Sequence, residues 1–367
     1  MKKIIAILLI LMMASGATIA DDGHQQEDIE RSFEKGLVLS IEEEESEHSF
    51  ISKIQHVEVK MLTGEFKGEI VMIENVISDS YVMDIDVQVD QKVLVSVEKY
   101  EDGTVEFYIT SEVRDHYILY MLIIFVVALL IVGKFQGIKT IFTLGVTFFF
   151  IFMVELPLLM RGYNAVLVTV VVAIFITIIT VTVISGLTKK SLAAIIGTTI
   201  GVVVAGGMAI FVSNQVKLTG LSMDEAVMLL SIQGETINFQ YLLFAAILLG
   251  ALGAIMDVAM SIASSIDEVH NVNSALSFKE LFDSGMRVGR DIMGTMANTL
   301  ILAYTGSSLP LLLLFMSAND SLTRLVNLDI IATEVIRSLA GSIGLVITIP
   351  VTAILSVTLI KDHRFNK

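Results

Sequence analysis

Asp257 stands inside an otherwise apolar run, GALGAIMDVAMSIASSIDE (250–268), with Gly250, Gly253, Ser261, Ser264 and Glu268 at steps of three and four from it. On a helix those steps share a face, so the run predicts a stripe of small and polar residues. Small residues admit a neighbouring helix, and a carboxylate on the same stripe must then meet protein or water rather than lipid. The chemistry such a group offers is the uptake and release of a proton or cation along a membrane pathway. A second stripe follows, with Arg287, Asp291, Thr295 and Asn298 on one face and Thr305 further along. Arg287 and Asp291 are spaced to pair, and an opposite Asp257 would supply Asn298 with a partner. Gly306 and Pro310 are placed to break this helix, as happens where backbone lines a cavity. The structural alternative for both stripes is a polar zipper that holds the bundle together or forms a dimer. A third ionisable group, Glu155, lies just before Pro157 and reads as an interfacial carboxylate at a Pro-bent helix end.

The elements that must carry these groups are long and oily. Apolar residues make up 54% of the 367 positions and mean hydropathy is +0.78. A bilayer core about 30 Å thick takes roughly 20 mostly apolar residues per helix. Runs of that kind cover residues 117–133, 138–160, 164–187, 191–212, 240–262, 291–316 and 335–360, about seven transmembrane helices within 117–360. If residue 116 is outside, the segments on the opposite side hold Lys134, Lys139, Lys189, Lys190, Lys279, Arg287, Arg290, Lys361, Arg364 and Lys367. The outer loops hold Arg161, Lys217 and Arg324, with Arg337 at the start of the last span. That asymmetry follows the positive-inside rule and puts the 361–367 tail in the cytoplasm.

Ahead of the spans the composition changes. Residues 21–116 carry 25 acidic and 8 basic side chains, whereas 117–367 carry 14 of each. Residues 1–20 read as a signal sequence, cleaved after Ala17 or Ala20 or kept as an anchor, with Lys2 and Lys3 on the cytoplasmic side. Residues 21–47, including Glu42 to Glu45, read as an acidic flexible arm. Over 48–115, alternating runs at 55–60, 68–73, 81–87, 92–97 and 104–109, separated by turn signals, predict a small extracytoplasmic β domain, barrel or sandwich, of OB-like scale.

Several function classes drop out. So acidic a face repels phosphate backbones, which argues against nucleic acid. The chain has no cysteine, so thiol catalysis, disulfides and thiolate metal sites are excluded. No phosphate loop, His-Glu-x-x-His site or nucleophile elbow occurs. The six histidines, His24, His48, His56, His116, His270 and His363, show no ligand spacing, so no metal or cofactor is expected. Asp257 and Asp291 are poorly placed for an aspartyl dyad, because Asp291 lies at the cytoplasmic margin.

The run at 250–268, followed by SGMRVGRDIMGTMANTLILAYTGSSLPLLLLF (284–315), resembles the YibE/F family of bacterial multi-pass membrane proteins. The motif positions this resemblance carries over are Gly250, Gly253, Asp257, Ser261, Glu268, Gly285, Gly289, Arg290, Asp291, Gly294, Asn298, Tyr304 and Gly306. It implies location and architecture and brings no reaction with it. The sequence therefore leads to a cell-membrane, non-enzymatic permease or ion-coupled secondary transporter. Its rival is a non-catalytic membrane subunit or envelope assembly protein. The expected partners are the lipid bilayer, a protein docking on the β domain, and further copies of the chain.

Overall fold

The computed structural model describes residues 30–45, 51–78, 84–317 and 321–362. The expected signal sequence, the first part of the arm, and Arg364 and Lys367 of the tail lie outside the described residues. Two compact units divide the chain, one over Ile19–Ala128 and the other built on Leu129–Lys367.

The first unit is a five-stranded antiparallel sheet: β1 Glu30–Glu45, β2 Ile51–Met61, β3 Ile70–Ser78, β4 Lys92–Lys99 and β5 Val105–Glu112, in the order β3-β2-β1-β4-β5. Three consecutive strands form a meander and β4 returns beside the first, which is a Greek key. The edge strands β3 and β5 approach without a shared ladder, so the sheet curls into a half-barrel. Alternate residues of each strand fill its concave side: Val38, Val57, Val59, Met61, Ile73, Val93, Val95 and Val97 are buried there with Val87.

Two expectations need correction. The acidic arm over 21–47 contains the central strand, and two of its glutamates meet partners on β2. Glu43 meets Lys53 at 2.7 Å and Glu44 meets His56 at 3.5 Å. The alternating run at 81–87 forms no strand over its described residues, 84–87. Instead Val87 enters the core and Asp84 accepts from the Ser78 amide and hydroxyl, so the segment packs through side chains.

The rest of the chain is helical, its first helix beginning within the first unit and the others lying in the second. α1 spans Asp115–Phe149 and passes through a π-helical stretch, Phe150–Glu155, into α2, Leu156–Met160. There follow α3 Ala165–Ser185, α4 Lys189–Val216, α5 Asp224–Gln233, α6 Phe239–Val272, α7 Phe278–Ser307, α8 Leu309–Ser317, α9 Leu322–Val326 and α10 Asp329–Lys361. Asn164, Thr188, Asn238 and Ser277 cap α3, α4, α6 and α7 through their side chains, and Ser277 with Glu280 completes a capping box. Five of these stretches are long and apolar enough to cross a membrane, and six if the bent pair α7 and α8 counts as one span.

Four local features depart from simple spans. Asp115–Met160 is 46 residues, more than twice the roughly 20 that a bilayer core takes. It breaks at Lys134, whose φ of 47° and ψ of −121° are non-helical. Gly137 packs so closely on the Leu129 carbonyl that a Cβ there would overlap it, although eight helical residues should separate them by about 12 Å. The expected break beyond Tyr304 is present, as a 60° bend between Ser307 and Leu309. The stretch between the expected spans 240–262 and 291–316 is mostly helix, and only 273–277 connects α6 to α7. In the connection after α4, residues 224–233 form the short helix α5.

Hydrogen bonds at the helix ends show that successive long helices alternate in direction. At one end the Lys139 ammonium donates to the Ile184 carbonyl (3.1 Å), Lys189 to that of Asp362 (3.4 Å) and Lys361 to that of Leu276 (2.5 Å), while Lys190 pairs with Asp267 at 3.2 Å. At the other end the Thr219 hydroxyl donates to Asp329 (2.6 Å) and the Gln240 amide to Asn214 (3.1 Å). These four lysines thus gather at one end, whereas Lys217 ends α4 at the other. α4, α6 and α10 form the centre of the bundle, where Ala205, Ala251, Ile255, Leu345, Ile349 and Ala353 are buried together.

Candidate functional site: polar groups inside the helical unit

The small, polar stripe of α6 lies on one face, and that face is open except at Gly250, where Tyr304 of α7 lies against it. Gly250, Gly253, Asp257, Ser261 and Glu268 all lie on the outward side, while Ile255, Met256, Val258, Ala259, Ile262 and Ala263 pack inward. Asp257 lies ten residues, about 15 Å, from Asp267 at the lysine-rich end, which is half the depth of a bilayer core. α7 crosses α6 with Gly285 on Ile266 and Gly289 on Ile349 and Ile262. Near its far end the Tyr304 hydroxyl lies against Gly250. These contacts set Thr295 level with Asp257.

Arg287, Arg290, Asp291, Gly294, Thr295 and Asn298 also lie on the side of α7 away from the bundle core. The anticipated pairings are not made. Among the described residues no hydrogen bond or ion pair joins Arg287 to Asp291 or Asp257 to Asn298. Thr295 turns its hydroxyl to the Ile292 carbonyl of its own helix (2.9 Å), and Arg290 Nε donates to the Met286 carbonyl (3.2 Å). Gly306 belongs to the last turn before the bend. Two adjacent helices therefore present open polar faces at the same depth.

Glu155 is a different case from the interfacial carboxylate expected. It is 1% exposed and ends the π-helical stretch. Pro157 explains the local geometry. It has no N–H and its ring crowds the preceding turn, and the Leu156 amide reaches back five residues to the Ile151 carbonyl. The extra residue in that turn carries the carboxyl inward rather than toward lipid. The hydroxyl of Thr169, itself fully buried on α3, bonds one carboxyl oxygen, and the other oxygen has no partner.

A second buried group is not among the residues the sequence singles out. Glu334 and Arg337 on α10 pair at 2.7 Å with side chains 16% and 15% exposed. The guanidinium carbon lies 6.0 Å from the centre of the Tyr304 ring. Glu334 Oε2, Arg337 Nε and the Tyr304 hydroxyl all lack partners. An acid and a base three apart at the head of an apolar helix are the available signal. Taken alone, Arg337 reads only as a span-start cation.

The membrane region, residues 121–362, matches the model of the YibE/F-like proteins, and residues 34–112 match the YibE/F family N-terminal domain. The chain belongs to the YibE/F family. No curated protein and no solved structure matches it. Asp257, Thr295, Glu155, Thr169, Glu334 and Arg337 all lie within the YibE/F membrane region.

The YibE/F N-terminal domain holds a polar cluster of its own. Gln55, fully buried, donates to Glu43 and Asp86 (both 2.8 Å) and accepts from Asn75 (3.0 Å). The Lys53 ammonium bridges the same two carboxylates at 2.7 and 2.8 Å. Asp86 first and then Glu43 raise the lysine above its ordinary range, while Lys53 and then Gln55 hold Glu43 below the usual carboxylate range. Beside them is a cavity of about 410 Å³ lined by Glu43, Glu44, Ser52, Lys53, Asp84 and Asp86, together with Ile77. Among the described residues no set of three or more His, Asp or Glu side chains has the geometry to hold a metal ion.

Proposed function

We propose that this YibE/F chain is an ion-coupled permease of the cell membrane, without enzymatic chemistry, and that the open polar faces of α6 and α7 form its pathway where two copies meet. The observation that carries this reading is Asp257 at mid-depth, level with Thr295 on the neighbouring helix, on faces the bundle itself leaves uncovered. A carboxylate facing lipid at that depth costs roughly 2.5–3.5 kcal/mol on insertion scales, so protein or water must cover it in the working assembly. A second copy supplies such cover by symmetry. The bend between α7 and α8 supports a pathway too, since discontinuous helices border transporter cavities.

In this reading the chain crosses the bilayer seven times. The break at Lys134 supports counting residues 115–133 and 135–160 separately. The lysine-rich end is cytoplasmic by the positive-inside rule, and the N-terminal domain is extracytoplasmic.

The test is proton flux into proteoliposomes holding a trapped pH-sensitive dye. Wild type should collapse an imposed pH gradient faster than empty vesicles, and Asp257→Asn should behave like empty vesicles while eluting as folded protein. Equal flux in the two proteins would reject the assignment.

The rival reading, a non-catalytic membrane subunit or assembly factor, draws on the same open faces and on the acidic cavity of the N-terminal domain. It expects deletion of residues 21–110 to abolish function with the bundle still inserted, and a stable partner to co-purify. A monodisperse protein, active alone, would count against it.

A further inference from the structure

Glu155 has an approach route that the pathway above does not use. At the end of the bundle away from those four lysines, a cavity of about 410 Å³ is lined by Leu159, Tyr163, Asn164, Ala165, Asn238 and Tyr241, among others. Leu159 is one helical turn from Glu155, and Ala165 is one turn from Thr169. The cavity floor therefore lies about 6 Å of helix rise above the carboxyl and its hydroxyl partner. Glu155 is 1% exposed and Leu159, in the cavity wall, 6%, and one oxygen of the carboxyl is unpartnered.

In the opposite direction along α3 the side chains pack closely. One to two turns further along α3, the packing loosens only into a void too small for water, lined by Ala173, Thr177, Thr199 and Leu252. The hydroxyls of Thr177 and Thr199 are both turned to carbonyls of their own helices. Along α3, then, the cavity at the Leu159 end is the nearer wet space to Glu155.

The ligand follows from the donor count. Metal cations of the Mg2+ and Ca2+ kind take about six or more oxygens, whereas this site offers two carboxyl oxygens and one hydroxyl. A proton needs one. No other charged group competes for it: α3 carries no titratable side chain, and in the π-helical stretch and α2 Glu155 stands alone. In the cavity wall the titratable groups are Tyr163 and Tyr241, with Arg161 exposed in the turn before it.

We propose that Glu155 is a proton-exchange site, separate from Asp257, which communicates through the Leu159 cavity with the lysine-poor side of the membrane. The inference extends the ion-coupled reading, but it concerns binding and is tested without transport. Full-length protein in lipid nanodiscs is moved into heavy water while its carboxyl infrared bands are followed. A buried carboxyl band should change between acidic and neutral buffer, and Glu155→Gln should remove it. Leu159→Trp should keep the band and slow its isotope shift by about tenfold or more, a barrier increase of roughly 1.4 kcal/mol.

If Glu155→Gln is not recovered folded, Thr169→Val reads the same site. Losing the hydroxyl should shift the band, and an unshifted band overturns the proposal. A band that persists in Glu155→Gln also overturns it, as does an exchange rate that Leu159→Trp leaves unchanged. Asp257→Asn should leave this band in place whatever it does to flux, so the two proposals fail separately.

Discussion

The hydroxyl of Thr352 on α10 lies against the α-carbon of Gly197 on α4, where no side chain has room. One turn along, Thr348 sits in the same way on Gly201 while donating to the Gly344 carbonyl at 2.8 Å. The seam through the bundle centre is thus closed by glycines on one helix and threonines on the other, a small-residue contact of the kind that lets membrane helices approach closely. A Cβ at position 201 would also lie 3.2 Å from the Gly344 backbone oxygen and 2.9 Å from Ile255, neither of which can easily withdraw. Gly201→Ala should therefore destabilise the bundle by about 1–3 kcal/mol, the usual overpacking cost. Gly207→Ala is the control: it is on the same helix, and its Cβ would meet nothing within 4 Å. Thermal unfolding in detergent should separate the two, and equal midpoints would refute the tight seam.

The Glu334–Arg337 pair makes an unequal prediction for single and double variants. Arg337→Met leaves a largely buried carboxylate without its cation, which should cost about 3 kcal/mol, the low end for breaking a buried pair. Glu334→Gln with Arg337→Met removes both charges and should recover much of that loss. A double-mutant cycle on unfolding midpoints measures the coupling. Strict additivity would mean that the pair contributes nothing beyond its separate side chains.

The N-terminal domain should respond to pH through Glu43 and Lys53. Glu43 has a lowered folded value, so its contribution is complete above the ordinary glutamate pKa of about 4.3 and fades as pH falls through the folded value. Lys53 has a raised folded value, so its contribution is complete below about 10.4 and fades as pH rises through the folded value. The expected profile is a plateau between these limits, with β1 and β2 loosening at the acid edge. Amide exchange of Glu30–Glu45 in the full-length protein, corrected for the intrinsic rate, reads this directly. In Lys53→Met the two carboxylates lose their bridge, and protection should fall across the plateau too. Unchanged protection in that variant would remove the cluster from the account.

Legibility in the sequence depends on whether burial is decided by the chain's own periodicity or by its neighbours. The long apolar helices, the break beyond Tyr304 and the single face shared by Gly250, Gly253, Asp257 and Ser261 follow from local composition and helical spacing, and all are legible. Whether that face is covered depends on which helices pack where, and the pairing of Asp257 with Asn298 fails on that point. Glu155 looks interfacial in sequence because only a π-helical turn, created around Pro157, brings it inward. β1 is hidden because a run of four glutamates reads as solvated chain until Lys53 and His56 are placed opposite it. Arg337 weighs as a topological cation until Glu334, three residues earlier, is set against it.

The open faces of α6 and α7 give a prediction about assembly that the absence of cysteine makes clean. Ser261→Cys places the chain's single thiol on the α6 stripe, one turn from Asp257, with little change in side-chain volume. If a second copy covers this stripe, the two-fold relation brings equivalent positions near the axis, and mild oxidation of native membranes should yield a covalent dimer. Leu167→Cys is the comparison. It is also exposed, on α3, but on an apolar face with no reason to leave lipid. A dimer from the Ser261→Cys protein and a monomer from the Leu167→Cys protein is the expected pattern on a non-reducing gel. Asp257→Asn in the Ser261→Cys background should keep the cross-link if the carboxylate serves the pathway, and weaken it if the carboxylate is itself part of the contact. Equal cross-linking of the two variants would indicate random collision, and the stripe would then need some cover other than a second copy.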